Sequence, residues 1–290
     1  MKSEQRKPLS LSGTILVTVS LVVIAAMFLT PVVWMACTSM KSPTDAAQGG
    51  ISPLPNPASA ALENIVHNYP EVWNDPSITF PIYLRNTLII AVLSVTGMVL
   101  SSAVVAYGFA RLNFKGRGPM FVVVLATMMI PFPVVMAPLY LVFRELGWIG
   151  TLRPLWVPAW FGGAFNIFLL RQFFMGIPKE LDEAARIDGC SHFGVFWRII
   201  LPLSKPALAV VALFHFMYVW NDFLGPLIFL THRDDFTLAL GLQLYQSKAG
   251  NTPWNLLMAA STMVTIPVLV LYVLAQRTFV QGMSADGLKE

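Results

Sequence analysis

Charge is what this sequence has least of. Only 12% of its 290 residues are Asp, Glu, Lys or Arg, against 56% hydrophobic, and the mean hydropathy is +0.66. A soluble globular chain carries about 25% charged residues. Half that fraction leaves too little polar surface to coat a water-soluble fold, so a membrane protein is expected. Cysteine is nearly missing too. Cys37 and Cys190 are the only two, and neither has a C-x-x-C neighbour, which excludes a disulfide framework or a zinc ribbon. Both read as small, soft packing residues. The four histidines, His67, His192, His215 and His232, lack metal-ligand spacing. No G-x-x-x-x-G-K-[ST] run is present, so the chain has no cradle for ATP phosphates. The basic run Lys115-Gly116-Arg117-Gly118 lacks the strand and helix context of one. H-E-x-x-H and G-x-S-x-G are absent as well. The stretch Trp34 to Cys37 has the outline of a lipoprotein cleavage site. Trp34 fits it poorly, and the apolar run before it exceeds a signal core of about 7–15 residues, so no cleavage is expected.

What is abundant is apolar sequence in long runs. Backbone groups in lipid must be satisfied within the protein, so the spans are helices or a closed barrel. The runs approach or exceed the ~20 residues of a membrane helix rather than the ~10 of a barrel strand. Six are expected, over about 11–37, 82–110, 119–143, 154–175, 206–230 and 253–275. Between the first two, residues 38–80 are rich in Pro and Gly, including Gly49-Gly50, with a short helix expected near 60–68. Pro131, Pro133 and Pro138 interrupt the third run. Six spans place both termini on one side. With the N-terminus inside, Lys2, Arg6, Lys7, Arg111, Lys115, Arg117, Arg171, Lys179, Arg186, Arg198, Lys205, Arg277 and Lys289 are cytoplasmic. Lys41, Arg85, Arg144, Arg153, Arg233 and Lys248 then face out. That is 13 against 6 of the 19 Lys and Arg, so cytoplasmic termini are expected. The same flanking pattern accounts for the net charge of +4 without invoking nucleic acid. It also puts Cys37 and Cys190 on opposite sides, where no disulfide joins them.

The cytoplasmic segment between the fourth and fifth runs is the informative one. From Ile177 it reads IPKELDEAARIDGCSHFGVFWRIILPLSKPAL. Pro178 suits a first helical turn, and Glu180, Asp182 and Glu183 complement a helix N-terminus. Asp182 and Arg186 are spaced i,i+4 for pairing on an exposed face. Gly189 is placed as the left-handed residue that ends the helix. Leu181, Ala184 and Ala185 share a small apolar face that another protein's backbone can approach closely. A second helix is expected from Ser191 to Pro202. Two readings compete: a helix resting on lipid headgroups, which usually presents bulkier anchors and fewer acids, and a docking helix for a partner.

The segment resembles the cytoplasmic signature loop of binding-protein-dependent ABC importer permeases: E-A-A, three residues, Gly, nine residues, Ile, one residue, Leu-Pro. Glu183, Ala184, Ala185, Gly189, Ile199, Leu201 and Pro202 keep every spacing. The chain is similar in particular to maltose-type carbohydrate permeases like the maltose G subunit. Arg85-Asn86-Thr87, Tyr107 to Arg111, Trp220-Asn221-Asp222 and the run Gln276 to Gly282 carry that likeness, which covers roughly 82–290. The resemblance implies an all-α, polytopic helical bundle of the type I ABC importer permease fold. Its parts are an N-terminal region 1–81, a permease core 82–277 with a coupling helix near 178–190, and a cytoplasmic tail 278–290. It implies a non-catalytic subunit without a cofactor of its own, ATP being bound by a cytoplasmic ATPase dimer. A second permease and an extracytoplasmic sugar-binding protein complete the assembly. Leu181, Glu183, Ala184, Ala185, Asp188, Gly189 and Pro202 would contact the ATPase.

Polar residues at membrane depth are costly and face a pathway or a partner helix. Asn166, His215, Trp220, Asn221 and Asp222 are the candidates, for a sugar pathway or for interhelical hydrogen bonds. The resemblance implies that the sugar site lies mostly in the partner permease. The outer loop 231–252 holds apolar Leu238, Leu240, Leu242, Leu244 and Tyr245 among polar residues. Either 236–245 packs back on the bundle as a short helix, or, as the resemblance implies, the loop reaches the binding protein with Gln243, Gln246 and Ser247. An ion-coupled transporter would need ionisable groups deep in several spans, and only Asp222 qualifies. A permease for glycerol phosphate, a peptide or an amino acid is the closer competing reading.

Overall fold

The computed structural model describes residues 11–48, 52–246 and 252–286. Lys2, Arg6, Lys7, Gly49-Gly50, Lys248 and Lys289 lie outside them. Among the described residues every regular element is helical, and the chain divides into two compact units.

The first unit comprises Met1–Asn74 with Tyr245–Met263. Its helix Leu11–Thr38 is 28 residues long, enough for a ~30 Å hydrocarbon core at ~1.5 Å per residue. Its many β-branched residues are poor helix formers in water, but in lipid the backbone has no other way to satisfy itself. Thr18 and Thr30 send their hydroxyls to the carbonyls of Thr14 and Ala26. Beyond it, buried Asn68 donates from Nδ2 to the carbonyls of Ser39 and Lys41, at 2.8 and 3.0 Å. The Asn255 amide in turn donates to Asn68 Oδ1 at 2.9 Å. The helix expected near 60–68 runs instead from Ala61 to Asn74. Its apolar face continues through fully buried Val72, which outweighs the single hydrogen bond lost at Pro70.

The second unit comprises Asp75–Leu244 with Val264–Glu290. Its axis is the 32-residue helix Phe80–Arg111. A stripe of small residues, Ala91, Ser94, Gly97, Ser102, Ala103 and Ala106, is buried along it, and small residues let membrane helices approach closely. At Gly97 a Cβ would overlap the indole of Trp160. Helices Ala164–Gly176 and Lys205–Trp220 pack on this axis.

The expected spans differ in continuity. Among the described residues three single helices are long and apolar enough to cross a membrane: Leu11–Thr38, Phe80–Arg111 and Trp254–Gln276. Counting two bent pairs as single spans raises the number to as many as five. The third run bends by 97° between Arg117–Met129 and Phe132–Glu145. Pro131 removes a donor there and holds Ile130 extended, and Pro133 lies in the first turn of the helix that follows. In the fourth, short turns Arg153–Trp156 and Val157–Phe161 precede the 13-residue helix Ala164–Gly176, with Gly162 at φ +82° between them. The fifth ends early, at Trp220, and resumes as Leu224–Phe229. Around the third-run break Met129 and Ile130 are exposed on this chain, and backbone groups freed at membrane depth need protein or water to satisfy them. The last helix continues past its expected end to Asp286.

At one end of this unit, Ala106, Tyr107, Phe109, Leu170, Phe174, Phe196, Ile200 and Val211 form a buried cluster. The signature segment is built on it.

Candidate functional site

The signature helix spans Glu180–Ile187. Pro178 lies two residues before it, not in its first turn, and Lys179 is the N-cap residue, its carbonyl accepting from the N–H groups of Asp182 and Glu183. The C-terminus closes as expected. Gly189 has φ +85°, its N–H donates to Arg186 O at 3.1 Å, and the Cys190 N–H donates to Ala185 O at 2.9 Å. This pair of hydrogen bonds across a left-handed residue is a Schellman motif. A Cβ at Gly189 would meet nothing within 4 Å, so the demand for glycine there is conformational, not steric.

The small apolar face expected on this helix is split. Ala185 points inward, 7% exposed, into the cluster beneath. Leu181, Glu183, Ala184 and Asp188 face outward. Ile187 joins them at 86% exposure; its side chain was not among the expected contacts, although i+3 from Ala184 it shares that face.

The Asp182–Arg186 pair is also corrected. Asp182 turns inward and meets Arg111, the last residue of Phe80–Arg111, with Oδ2 3.5 Å from Nη1. The Arg111 side chain is 3% exposed, and its Nη2 donates to Ile177 O at 2.7 Å. Tyr107, one turn earlier, donates its hydroxyl to His192 O at 3.0 Å. The end of the long helix thus clasps the chain just before and just after the signature helix. Burial raises the Asp182 carboxyl above its ordinary pKa of 3.8, Arg111 opposes that shift, and Glu183 adds to it. The ion pair is loose: Asp182 Oδ1 and Arg111 Nε are buried without a hydrogen-bond partner among the described residues.

The second signature helix starts where expected. The Ser191 hydroxyl caps it by accepting from Gly194 N–H at 3.2 Å. It runs through His192–Val195, widens to a π-turn over Phe196–Ile200, and ends at Leu201–Leu203. Pro202 is exposed on it. Phe193 and Trp197 stack with ring centroids 6.2 Å apart and are 71% and 57% exposed, an aromatic pair flanking the signature helix.

Of the five polar residues expected within the spans, the structure brings three together. Asn166, His215 and Asp222 line one cleft of ≈490 Å3 with Ser94, Tyr218 and several phenylalanines. His215 Nε2 lies 2.7 Å from Ser94 Oγ, an interhelical hydrogen bond, and its ring stacks on Tyr218. Asp222 Oδ1 accepts Gly225 N–H at 3.1 Å, capping the resumed helix. Trp220 and Asn221 are elsewhere. Trp220 is buried and donates to Val264 O at 3.2 Å, and the Asn221 amide bonds Met217 O within its own helix.

The outer loop packs back as a helix, Leu238–Gln246. Buried Asn86 donates to the carbonyls of Asp234 and Phe236 at 2.8 and 3.1 Å, and Thr87 Oγ1 accepts Leu238 N–H at 2.9 Å. Leu238 and Leu240 are buried, which explains apolar residues in an otherwise polar loop. Gln243 and Gln246 are exposed on this helix. Ser247 lies outside the described residues.

Residues 97–285 match the family of binding-protein-dependent transport system inner membrane components. The chain is 33% identical over 277 residues to the arabinooligosaccharides transport system permease protein of Halalkalibacterium halodurans, covering 94% of this chain and 96% of that one. It is 36% identical over 278 residues to the trehalose/maltose transport system permease protein of Thermococcus litoralis, covering 95% and 96%. Among solved structures it is similar to a chain of a bacterial ABC transporter involved in the import of the acidic polysaccharide alginate. That match has a TM-score of 0.77 at 25% identity over 93% of this chain and 98% of that one.

Proposed function

This chain belongs to the family of binding-protein-dependent transport system inner membrane components, and from that premise we propose that it is one half of the membrane pathway of an ATP-driven sugar importer. In this reading Glu180–Gly189 is the coupling helix, with Leu181, Glu183, Ala184, Asp188 and Gly189 presented to a separate cytoplasmic ATPase. Ala185 serves as its inward anchor, and Pro202 ends the segment. The observation that carries the reading is the pairing of an exposed helix face, with Leu181, Ala184 and Ile187 on it, with a three-point mounting on Ile177, Asp182 and His192. A helix merely resting on lipid has no need of such a mounting, whereas a helix that transmits ATPase movement must not yield at its base. The chain leaves ATP to its partner in this account, since it lacks a phosphate loop. A second permease completes the pathway and an extracytoplasmic binding protein delivers the sugar. The names of the relatives, permeases for arabinooligosaccharides and for trehalose and maltose, support sugar over glycerol phosphate or peptide. The excess of Lys and Arg on one side supports cytoplasmic termini.

The test is co-purification of the ATPase with tagged permease, together with sugar uptake. Glu183→Lys reverses a charge on the exposed face, and Gly189→Val forces a β-branched residue into left-handed backbone, at about 1–2 kcal/mol. Both variants are expected to lose ATPase and uptake while still inserting into the membrane. Full assembly and uptake in both would refute the docking role.

A further inference from the structure

The cleft within Asp75–Leu244 is more than a seam between helices. Its ≈490 Å3 falls within the roughly 300–1,000 Å3 of small-molecule sites. Aromatic side chains supply part of its wall, Phe132, Phe165, Phe214 and Tyr218 among them. Ser94, Asn166, His215 and Asp222 add polar groups. That composition suits a sugar, whose C–H faces pack on aromatic rings while its hydroxyls find hydrogen-bond partners at the edges. Among the described residues no Lys or Arg lines the cleft, and Asp222 is its one acid. Asp222 is held by the Gly225 N–H at 3.1 Å. A Cβ added at Gly225 would lie 2.5 Å from Asp222 Oδ2, so a side chain there would displace the carboxylate. A fixed carboxylate at membrane depth, with no cation beside it in the cleft wall, repels anionic solutes.

We propose that this cleft is a subsite for an uncharged sugar, and that Asp222 makes it reject solutes bearing a carboxylate or a phosphate. The proposal rests on the import reading given above and deepens it. It assigns this subunit sugar contacts of its own, in addition to any in the partner permease.

The experiment titrates the complete transporter, solubilised without nucleotide or binding protein. The probes are radiolabelled neutral disaccharides (maltose, trehalose and arabinobiose) and a uronate disaccharide cut from alginate. The wild type is expected to bind at least one neutral sugar roughly a hundredfold more tightly than the uronate. Asp222→Asn keeps the oxygen that caps Gly225 and removes the charge, so it should narrow that gap to roughly tenfold or less. Phe214→Leu and Asn166→Leu should each weaken neutral-sugar binding roughly tenfold, with the ATPase still co-purifying. Equal binding of neutral and uronate sugars by the wild type overturns the proposal. So does an unchanged gap in Asp222→Asn, unaffected binding in both Phe214→Leu and Asn166→Leu, or no saturable binding by any probe. Uptake with binding protein present is measured in parallel. Sugar uptake without cleft binding removes the subsite alone, whereas failure to take up any sugar removes the import reading itself.

Discussion

The helix Glu180–Ile187 and the cleft around Asp222 each place an acidic side chain beside the end of a helix, yet they are built by opposite means. The first is local. One short segment supplies its own acidic first turn, its own glycine stop and its own exposed face, and needs the rest of the unit only as a mount. The second is assembled from far apart in the chain. Ser94, Asn166, His215 and Asp222 meet because two broken helices and a helix restart surround the same space. A surface made from one segment can be moved as a rigid piece. A cleft whose walls come from several interrupted helices changes shape when any of them shifts. In an importer driven from the cytoplasm, that is a workable division between the part that is pushed and the part that opens.

Removing the mount should have the largest effect on this contrast. Arg111→Leu deletes the buried partner of half-buried Asp182 and the hydrogen bond to Ile177 O, a loss of at most about 3 kcal/mol, the lower end for a fully buried pair broken on one side. Hydrogen exchange across residues 177–190 is expected to accelerate strongly and coupled ATP hydrolysis to collapse, with neutral-sugar binding in the cleft nearly unchanged. If cleft binding fell in step with coupling, the two regions would not be separable.

A smaller effect is expected from the proton on Asp182. Its carboxyl is raised above 3.8 chiefly by burial, so the folded arrangement favours the protonated form. The stability that this group contributes is therefore fully present below the unfolded pKa and is lost as pH rises through the higher folded value. Asp182→Asn imitates the protonated state. Protection of 177–190 should decline with rising pH across the carboxylate range in the wild type and stay flat in the variant. A matching decline in the variant would assign the dependence to another group.

The contrast also explains what was legible in the sequence. Gly189 and the helix it ends were readable because helix-stop chemistry is written in neighbouring residues. Asp182 was paired with Arg186 because spacing reveals partners only on the same helix; its real partner, Arg111, ends a different one. Arg85-Asn86-Thr87 and Tyr107 to Arg111 stood out as stretches without a role, and folding supplied it: Asn86 and Thr87 tether the outer loop, Tyr107 and Arg111 the signature segment. Prolines 131 and 133 marked a break in the third run, but not a 97° bend. The pair Gly162-Gly163, which splits the fourth run, carried no signal that separates it from ordinary membrane glycines. Asn166, His215 and Asp222 were visible as costly polar residues. That they share one cleft, while Trp220 and Asn221 leave it, depends on helix breaks that periodicity does not reveal.

Site-specific cross-linking on the signature helix tests the central claim most directly. With Cys37 and Cys190 replaced by Ser, single cysteines at Ala184, which faces out, and Ala185, which faces the buried cluster, are labelled with a short photoactivated cross-linker in membranes containing the whole transporter. The account predicts that Ala184→Cys captures the ATPase subunit in high yield, that Ala185→Cys does not, and that added Glu183→Lys abolishes the product. Capture of lipid or of the second permease by Ala184→Cys, or equal capture of the ATPase from both positions, would contradict it.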